Sequence, residues 1–512
     1  MKIQHFVILT LLTLLVLSCT RDERPVATTN QGQVRGLSLG DVHAYLGVPY
    51  AQPPVGQLRW REPLPPMSYD TVLDASHFRA DPMQPHMYDD MIFRGPCFSE
   101  DCLYLNIWAP VPDKNAPQTV YPVLMYFNGG GWMAGSGSEP RYDGAALARK
   151  GVIVVTANYR EGIFGFFAHP ELTARSGVHS SGNQGLLDQA AAIQWVHENI
   201  RAFGGDSTRI TIAGESAGAF SVSTLLCSPL VKDLLFGAIG SSGAEVAPYT
   251  TRSLDEAEQE GVHLIEYKGL TIDQLLSLPP AAVQEQLPPS GMKAAVVDGY
   301  LLTESTDETY AAGRQAEVPL LIGWNSKEAS PLWYLQEPYS LADCRRMLLP
   351  RLREHTDEVL AAYGIKTDAD VLSQGAVDLV SDLFTALVSW RWSELHRRSG
   401  RPVYRYLFMP ARPGETDGKT PDGSVHSADI EYAMNNLYLN KLFRWRDEDY
   451  ELAEFFSSCY ARFCQTGNPI PETNSWPQLD EKGETLFFDF HPYTAPLPNT
   501  ERRKLLERIL VP

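Results

Sequence analysis

Short apolar runs alternate with helix-compatible runs from Tyr121 to Gly243, and this alternation limits the possible folds more than any other feature of the sequence. The apolar runs have the length and the β-branched and aromatic content of buried strands: YPVLMYF, VIVVTANY, RITIAG and FGAIGSSG. Three runs between them are compatible with helices: YDGAALARKG, QGLLDQAAAIQWVHENIRAFGG and AFSVSTLL. Because continuous apolar strands must be covered on both faces, the pattern predicts an α/β fold whose central, mostly parallel sheet is flanked by helices.

Helical segments also precede or separate the later strands. Two further strand-like runs, VPLLIGWN and PVYRYLFM, follow residues 250–315 and 341–400, which read mostly as helices and loops. We expect these helical insertions to lie over the carboxyl edge of the sheet. Ligand sites in open α/β sheets lie outside that edge, so the insertions should form part of any site.

The stretch TIAGESAGAF places Ser216 between two glycines where a strand turns directly into a helix. Glycines leave room in a cramped turn where a Cβ atom would clash. This is the G-x-S-x-G nucleophile elbow, in which the serine stands at the apex of the turn. A tight packing turn without catalytic function is the alternative interpretation of the same five residues.

A serine hydroxyl needs a base to become a nucleophile, and the base needs an acid to orient it. His426 lies in a loop, DGSVHSADIEY, directly after a strand and downstream of the serine. The order serine, acid, histidine is that of α/β-hydrolases, so the acid should lie between them. Glu328, which follows the strand PLLIG, is the predicted acid; Asp298 in VVDGY and Asp429 remain alternatives.

Three consecutive glycines follow the strand YPVLMYF in the motif NGGGW. Such a run lets the backbone direct successive N–H groups at one point, as a tetrahedral oxyanion requires. We predict an oxyanion hole formed by the N–H groups of Gly130, Gly131 and Ala217. A phosphate-binding loop is the competing interpretation, but no Lys-Ser or Lys-Thr pair follows the glycines.

The motifs belong to a longer series of characteristic stretches: YLGVPYAQPPVGQLRW, SEDCLYLNIW, NGGGW, NYREGIFGF, GNQGLLDQAAAIQWVHENIRAFGGD, RITIAGESAGAFSV, LLIGWNSKEAS, VHSADIEY and FCQTGNP. On these stretches the chain resembles the type-B carboxylesterase family, which includes cholinesterases and bacterial p-nitrobenzyl-type esterases. The resemblance extends from about Gly32 to Pro477. It implies the α/β-hydrolase fold and hydrolysis of carboxylic esters through an acyl-enzyme, with no cofactor and no metal.

The family's functional residues fall on the positions already identified. The resemblance implies that the nucleophile is Ser216, the acid is Glu328 and the base is His426. Its oxyanion amides fall on Gly130, Gly131 and Ala217, as the glycine motif also predicts. A base with an ordinary imidazole pKa should lose activity below about pH 6 to 7.

Three features depart from the family pattern. Asn128 precedes the glycines where many members have His or Tyr. Met83 lies where the family's first disulfide usually has the upstream partner of the cysteine that matches Cys102, so Cys97 replaces that partner or the bridge is absent. Free thiols at Cys97 and Cys102 therefore remain an alternative to a bridge. The span from Met83 to Asp101 contains no tryptophan, and the cation-binding aromatic of cholinesterases is missing there.

The charge of the chain excludes some classes of partner. Lys and Arg number 43 against 62 Asp and Glu, which gives a formal net charge of -19. An acidic surface of this kind disfavours nucleic acids and anionic membranes. The expected partner is a small-molecule ester, bound between loops around Trp132, Pro288 to Met292 and Trp333 to Tyr339.

The first residues have the pattern of an export signal. Lys2 is followed by an apolar run from Phe6 to Leu17, which is too short to span a bilayer comfortably. The next residues complete VLSC, which resembles the bacterial lipobox and implies cleavage after Ser18 and a lipid on Cys19. A plain secretory signal cut near Ser18 is the alternative. We expect a lipoprotein anchored to a membrane and facing the periplasm or cell surface, or otherwise a soluble periplasmic or secreted protein.

The sequence thus predicts three segments: a lipoprotein-type signal peptide at 1–18, a flexible tether at 19–30 and a single catalytic domain at 31–512. The predicted function is a serine hydrolase of small to medium carboxylic esters. An amidase or transacylase with the same triad is one alternative. A non-catalytic, adhesion-type binding protein on the same fold is another.

Overall fold

The computed structural model of the chain describes residues 24–112, 116, 118–288, 291–470 and 476–511. Within these residues eleven strands form one mixed sheet, and three smaller sheets lie beside it. None of the helices in the described ranges is both long and apolar enough to cross a membrane.

The strands of the described residues are numbered in chain order. They are β1 (Val26–Thr28), β2 (Gln33–Arg35), β3 (Leu37–Ser38), β4 (Val42–Pro49), β5 (Leu73–Asp74), β6 (Asp81–Pro82), β7 (Phe98–Ser99), β8 (Tyr104–Pro110), β9 (Tyr121–Phe127), β10 (Ile153–Ala157), β11 (Gly205–Glu215), β12 (Leu235–Ser241), β13 (Arg252–Ser253), β14 (Val296–Val297), β15 (Leu320–Asn325), β16 (Val403–Phe408), β17 (Glu484–Phe488) and β18 (Tyr493–Pro496).

The central sheet has the order β18-β17-β16-β15-β12-β11-β9-β10-β8-β4-β3. The strands from β17 to β10 in this order are all parallel to their neighbours. At the two edges, β18 and the group β8, β4 and β3 pair antiparallel. The prediction of a mostly parallel sheet is therefore confirmed.

The α-helices of the described residues are also numbered in chain order. They are α1 (Ala145–Ala148), α2 (Gly162–Gly165), α3 (Pro170–Arg175), α4 (Gln184–Asn199), α5 (Ala217–Leu225), α6 (Leu254–Lys268), α7 (Ile272–Ser277), α8 (Pro280–Gln286), α9 (Thr306–Ala311), α10 (Leu341–Leu352), α11 (Thr356–Ala362), α12 (Gln374–Ser381), α13 (Leu387–Arg398), α14 (Ile430–Ala433), α15 (Asp447–Thr466) and α16 (Thr500–Leu510).

The side chains of β9 show how the sheet separates two hydrophobic cores. Val123, Met125 and Phe127 belong to the core on one face, while Leu124 and Tyr126 belong to the core on the other. This alternation follows from the two-residue period of a strand. All five side chains are buried, which explains why the run is apolar throughout.

Helices cover both faces of this sheet. On the first face Leu186 and Ile193 of α4 and Val222 of α5 pack into the core. On the second face Phe456 and Phe463 of α15 do the same. Each fully buried aliphatic or aromatic side chain of this kind contributes about 1.5–3 kcal/mol, so the buried faces supply the main stabilisation of the layered fold.

The parallel register brings several strand ends to one edge of the sheet. Phe127 of β9 pairs with the residue before Glu215, and Glu215 pairs with Ser241 of β12. Farther along the sheet, Asn325 of β15 pairs with Phe408 of β16. Side chains that follow these strands are therefore brought together, which is the physical basis for a site at the carboxyl edge.

Part of the segment predicted to be a flexible tether is a strand. Residues 19–30 were expected to be flexible, but Val26–Thr28 forms β1 and pairs antiparallel with Gln33–Arg35. Ala27 is buried in the core, and this burial fixes the segment on the domain. The predicted signal peptide at 1–18 and Cys19 lie outside the described residues.

The described cysteines are all free thiols. Cys97 is exposed and Cys102 is buried, so the alternative without a bridge between them is the one observed. Cys459 and Cys464 are both buried on α15 and are also unbridged. Their five-residue helical spacing points the two side chains apart.

Candidate active site

The turn between β11 and α5 holds Ser216 in a strained backbone conformation. Its φ of 53° and ψ of -124° lie outside the regions that residues with a Cβ normally adopt. Hydrogen bonds fix the turn on both sides: Ser216 N–H donates to Ser241 O at 2.9 Å, and Ser216 O accepts from Ala219 N at 2.8 Å and Phe220 N at 3.0 Å. The elbow predicted from the sequence is therefore present, with Ser216 at its apex.

The two glycines of the elbow are required by close contacts. A Cβ on Gly214 would lie 2.4 Å from the carbonyl carbon of Gly218, and a Cβ on Gly218 would lie 2.2 Å from Phe127 O. Neither neighbour is a flexible side chain, so neither could give way. The start of α5 thus packs directly against the backbones of β11 and β9, which places Ser216 beside the residues that follow β9.

The glycine motif lies against Ser216. Gly130 and Gly131 have positive φ values of 111° and 66°, and a Cβ on Gly130 would lie 1.8 Å from Ala134 O. A Cβ on Gly129 would lie 3.1 Å from the Cβ of Ser216. Ala217 is the first residue of α5, and N–H groups of a first helical turn have no partner within the helix. Of the three residues predicted for the oxyanion hole, Ala217 adjoins Ser216 in the chain, and Gly130 and Gly131 line the same cavity as the serine.

Asn128 braces the glycine motif through its side chain and its backbone. Its amide nitrogen donates to Gly129 O at 3.0 Å, to Tyr159 Oη at 3.3 Å and to Glu161 Oε1 at 3.1 Å. Tyr159 Oη in turn donates to Asn128 O at 2.8 Å. Burial raises the pKa of Glu161 well above its ordinary value, although its hydrogen bonds with Asn128 and Tyr159 act in the opposite direction.

Glu328 and His426 are in direct contact. Glu328 Oε2 lies 2.5 Å from His426 Nδ1, while Glu328 Oε1 accepts from Ser242 Oγ and Asn325 N at 2.5 Å each. Glu328 is completely buried. Because a carboxylate accepts, Nδ1 carries the proton and Nε2 is the nitrogen available to act as a base.

The loops that carry these two residues are joined by the backbone. Lys327 N donates to Ser424 O at 2.8 Å, and Lys327 forms an isolated parallel bridge with Val425. Glu328 and His426 each follow directly after a member of this bridge. The backbone hydrogen bond and the bridge therefore hold the two loops together, and with them Glu328 and His426.

The alternative acids have other partners. Asp298 Oδ1 accepts from the N–H groups of Tyr300, Leu301 and Leu302, which makes it part of its own turn. Asp429 is buried near the site, where its carboxylate accepts from Ser241 Oγ, Asn325 Nδ2 and Tyr406 Oη. The carboxylate at hydrogen-bond distance from the imidazole Nδ1 is that of Glu328.

Glu215, the residue before the serine, is a site residue that the sequence reasoning missed. Its Oε1 lies 3.2 Å from His426 Nε2, and this oxygen has no hydrogen-bond donor among the described residues. Burial raises the pKa of Glu215 to about 8, although the positive charge of His426 opposes this increase. A signal was available, since a charged residue at the end of a fully buried strand needs a partner.

Two carboxyl groups thus face the two ring nitrogens of His426. Burial by itself lowers the pKa of the imidazole, but Glu215 and then Glu328 outweigh this effect and raise the pKa to about 9. The ring packs edge-on against Phe384, with the centroids 5.0 Å apart. The imidazole is therefore held in place and is more basic than a free histidine.

A cavity of about 670 Å³ opens beside these groups. Ser216, His426, Gly130 and Gly131 all line it. Its walls are mainly aromatic and methionine side chains, several of them from the helical insertions: Tyr88, Met91, Met133, Tyr142, Phe220, Tyr249, Met292, Trp333 and Phe384. This catalytic cavity brings together the Ser216 hydroxyl, the His426 ring, the Glu215 carboxyl group and two glycines, and Asp90 and Arg141 also line it.

The chain matches a protein-family model over nearly its whole length. The family model described as Carboxylesterase family matches residues 23–504. The chain belongs to the carboxylesterase family.

Individual carboxylesterases are similar over nearly the whole chain. Fumonisin B1 esterase of Sphingopyxis macrogoltabida is 34% identical over 492 residues, which cover 92% of this chain and 87% of the relative. Para-nitrobenzyl esterase of Bacillus subtilis (strain 168) is 33% identical over 513 residues, which cover 94% of this chain and 98% of the relative.

Solved carboxylesterase structures agree with the fold. A PNB esterase structure has a TM-score of 0.81 at 30% identity and covers 94% of this chain and 99% of its own. The carboxylesterase of Geobacillus stearothermophilus has a TM-score of 0.80 at 30% identity, with the same coverage. The fold is therefore the α/β-hydrolase fold, and the protein is a serine carboxylic ester hydrolase, as the sequence predicted.

Proposed function

We propose that Ser216 is the nucleophile of this carboxylesterase and that His426 and Glu328 activate it. Ser216 Oγ attacks the ester carbonyl carbon while its proton passes to His426 Nε2. The bond from this carbon to the alcohol oxygen then breaks, and His426 returns the proton to the departing alcohol. Glu328 holds the imidazole in the tautomer that leaves Nε2 free and stabilises the positive charge that develops on the ring.

The second half of the proposed cycle repeats these steps with water. The acyl group is now bound to Ser216 Oγ, and His426 Nε2 removes a proton from a water molecule that attacks the acyl carbon. The bond between this carbon and Ser216 Oγ breaks, the serine recovers its proton from His426, and the carboxylic acid leaves. In both halves the negatively charged oxygen of the tetrahedral intermediate accepts hydrogen bonds from the N–H groups of Gly130, Gly131 and Ala217.

One observation carries this assignment: Glu328 Oε2 lies 2.5 Å from His426 Nδ1, and His426 lines the same cavity as Ser216. The alternative acids Asp298 and Asp429 accept hydrogen bonds from other groups. The strained φ of Ser216 adds support, because strain of this kind is commonly kept where a nucleophile must be presented.

The replacement Ser216→Ala tests the assignment. We expect hydrolysis of p-nitrophenyl acetate to fall by roughly a millionfold, and labelling by a fluorophosphonate probe to disappear. Ser277→Ala, which changes an exposed serine on α7, is the matched control and should retain both. Labelling of the Ser216→Ala protein would show that another residue is the nucleophile.

We propose small to medium carboxylic esters as substrates. A volume of about 670 Å³ is within the range typical of small-molecule pockets, roughly 300–1,000 Å³. The relatives named fumonisin B1 esterase and para-nitrobenzyl esterase support an ester rather than another acyl compound. Turnover of p-nitrophenyl acetate that greatly exceeds turnover of p-nitroacetanilide would agree, whereas the reverse order would identify an amidase.

Transfer to acceptors other than water is a separate outcome. If added alcohols divert most of the acyl group from acid to a new ester, the protein is a transacylase that uses the same triad. Measurement of free acid and of new ester in the same reaction distinguishes the two. We expect free acid to dominate.

We propose that the protein is exported and is anchored to a membrane by a lipid on Cys19. The sequence VLSC after the apolar run supports this, and so does the start of β1 at Val26, which leaves a short connection between Cys19 and the folded domain. In a bacterial host, Cys19→Ser should move the protein from the membrane fraction to the soluble fraction and abolish labelling by a fatty acid. Cys97→Ser is the control that should change neither, and unchanged labelling of Cys19→Ser would contradict the anchor.

A further inference from the structure

A second cavity, of about 370 Å³, lies next to the catalytic cavity. Met133 lines both of them. Gly131 and Met292 line the catalytic cavity, while their chain neighbours Trp132 and Gly291 line the second cavity. The segments that contain Met133 and Met292 therefore lie between the two cavities, and flexible methionine side chains form part of the boundary.

The inner lining of the second cavity is apolar. Trp132, Ile163, Phe166, Phe167 and Leu264 supply most of this surface. Trp132 stacks on Phe166 with the centroids 4.9 Å apart, and its Nε1 donates to a serine of α5 at 2.9 Å. The stacked pair is fixed, so the apolar wall is preformed and suits a hydrocarbon chain.

The remaining lining carries an excess of positive charge. Arg252 and Lys293 both line the cavity, and both donate to the carboxylate of Glu260, which lines it as well. Glu260 is the only carboxylate among the described lining residues, so two cations share one anion. Arg252 Nε is also buried without a hydrogen-bond acceptor in the described part of the chain.

A nearby acid does not cancel this excess. Glu245 is completely buried, and one of its oxygens accepts from Ala295 N at 3.0 Å. Burial raises the pKa of Glu245 to about 8, so its carboxyl is mainly neutral at pH 7. Asp255 and Glu266 on the same helix as Glu260 are exposed and are absent from the described lining. The charge of the lining is therefore opposite in sign to that of the chain as a whole.

We propose that the second cavity binds the far end of one arm of the substrate, an apolar chain that ends in a carboxylate, and that Lys293 and Arg252 bind this carboxylate. The inference rests on the proposed function, because the other end of the same substrate is the ester that Ser216 attacks. The arm passes Met133 and lies along Trp132 and Phe166. A carboxylate between two cations gains charge-assisted hydrogen bonds, and the apolar chain gains burial.

The test compares matched esters. The p-nitrophenyl hemiester of suberic acid carries the carboxylate on the acyl arm, and the acetyl ester of an ω-hydroxyoctanoate carries it on the alcohol arm. Their neutral counterparts are p-nitrophenyl octanoate and octyl acetate. The ester p-nitrophenyl acetate has no long arm that could reach the second cavity, so it reports on catalysis alone.

Lys293→Gln should lower kcat/KM for at least one of the two carboxylated esters by about fivefold and leave the neutral esters unchanged. The carboxylated ester that is affected identifies the arm. Lys268→Gln, at the exposed end of α6, removes the same charge outside the lining and should change none of the values. An equal response of carboxylated and neutral esters to Lys293→Gln, or no response of either carboxylated ester, would overturn the proposal.

A second variant tests the space itself. Ala257 lines the second cavity and is buried, so Ala257→Leu should fill part of it. We expect kcat/KM for the long-chain esters to fall severalfold while that for p-nitrophenyl acetate is retained. If the unsubstituted protein does not hydrolyse p-nitrophenyl acetate, the assignment of the catalytic residues is contradicted instead. Failure of the proposed function and failure of the second-cavity proposal are therefore distinguishable.

Discussion

Glu215 Oε1 lies 3.2 Å from His426 Nε2, while Glu328 Oε2 lies 2.5 Å from Nδ1 of the same ring. Each nitrogen of the imidazole therefore faces a carboxyl group. Glu328 accepts a hydrogen bond from Nδ1–H and so fixes the tautomer. Glu215 contacts the nitrogen that we propose takes the proton from Ser216, so its charge influences how basic this nitrogen is.

This arrangement predicts the pH dependence of the enzyme. His426 acts as a base only when it is neutral, and Glu215 and Glu328 raise its pKa to about 9. The acid limb of kcat/KM should therefore lie above the range of about pH 6 to 7 that an ordinary imidazole gives. Glu215→Gln removes one of these charges, lowers the pKa of His426 and should move the acid limb to lower pH by about one unit.

The measurement is the pH profile of kcat/KM for a neutral ester. Because Glu215 and His426 interact strongly, the apparent pKa belongs to the pair, and the shift between variants is the informative quantity. Glu285→Gln removes an exposed carboxylate on α8 and should leave the profile in place. If the acid limb of the Glu215→Gln profile stays in place or moves to higher pH, an electrostatic influence of Glu215 on the base is contradicted.

The replacement Glu328→Gln tests the proposed acid of the triad against the alternative carboxylates. An amide can donate to Nδ1 and favour the wrong tautomer, so kcat should fall by about 10³- to 10⁴-fold with little change in fold. Asp298→Asn alters a carboxylate that caps its own turn and should change kcat by less than about twofold. Steady-state kinetics of both purified variants checks this, and a comparable loss in Asp298→Asn would refute the distinction.

The sequence was sufficient to predict how distant residues meet. Ser216, Glu328 and His426 all follow strand-like runs, and parallel strands end at one edge of a sheet, so the three loops had to converge there. The glycines of the elbow and of the NGGGW motif were informative because each has a single physical cause. A Cβ on Gly218 or on Gly130 would overlap a backbone carbonyl.

Contacts that depend on packing could not be predicted in the same way. Glu215 was passed over because the residue between glycine and serine in the elbow can be of any type, and its contact with His426 depends on where a distant loop lies. The loop around Trp132 does line the catalytic cavity, but the Trp132 ring itself stacks on Phe166 and lines the second cavity, which the sequence could not show. The strand at Val26–Thr28 was missed because a short run in a polar segment becomes a strand only through its pairing with Gln33–Arg35.

The thiol of Cys97 gives a chemical test of the bridge that the sequence left open. Among the described cysteines it is the exposed one, whereas burial raises the pKa of the Cys102 thiol well above its ordinary value. In the folded protein we expect iodoacetamide to modify Cys97 and to leave Cys102 unmodified until the chain unfolds. Peptide mass spectrometry with and without a reductant checks this, and a peptide pair linked through Cys97 and Cys102 would contradict free thiols.

The absence of a side chain at Gly218, two residues after Ser216, should be required for the stability of the fold. Gly218 lies within α5, where Ala would ordinarily be better than Gly by about 1 kcal/mol, so helix propensity alone predicts that Gly218→Ala is stabilising. The added Cβ would instead lie 2.2 Å from Phe127 O, and α5 would have to move away from β9. We expect the free energy of unfolding to fall by about 1–3 kcal/mol and activity to fall with it, since the same movement displaces Ser216.

Gly204→Ala, where no atom lies within 4 Å of the added Cβ, measures the cost of a positive φ without a clash and should retain activity. Urea unfolding of both variants decides the matter, and a Gly218→Ala protein as stable and active as the parent would show that the elbow tolerates a wider separation of helix and strand.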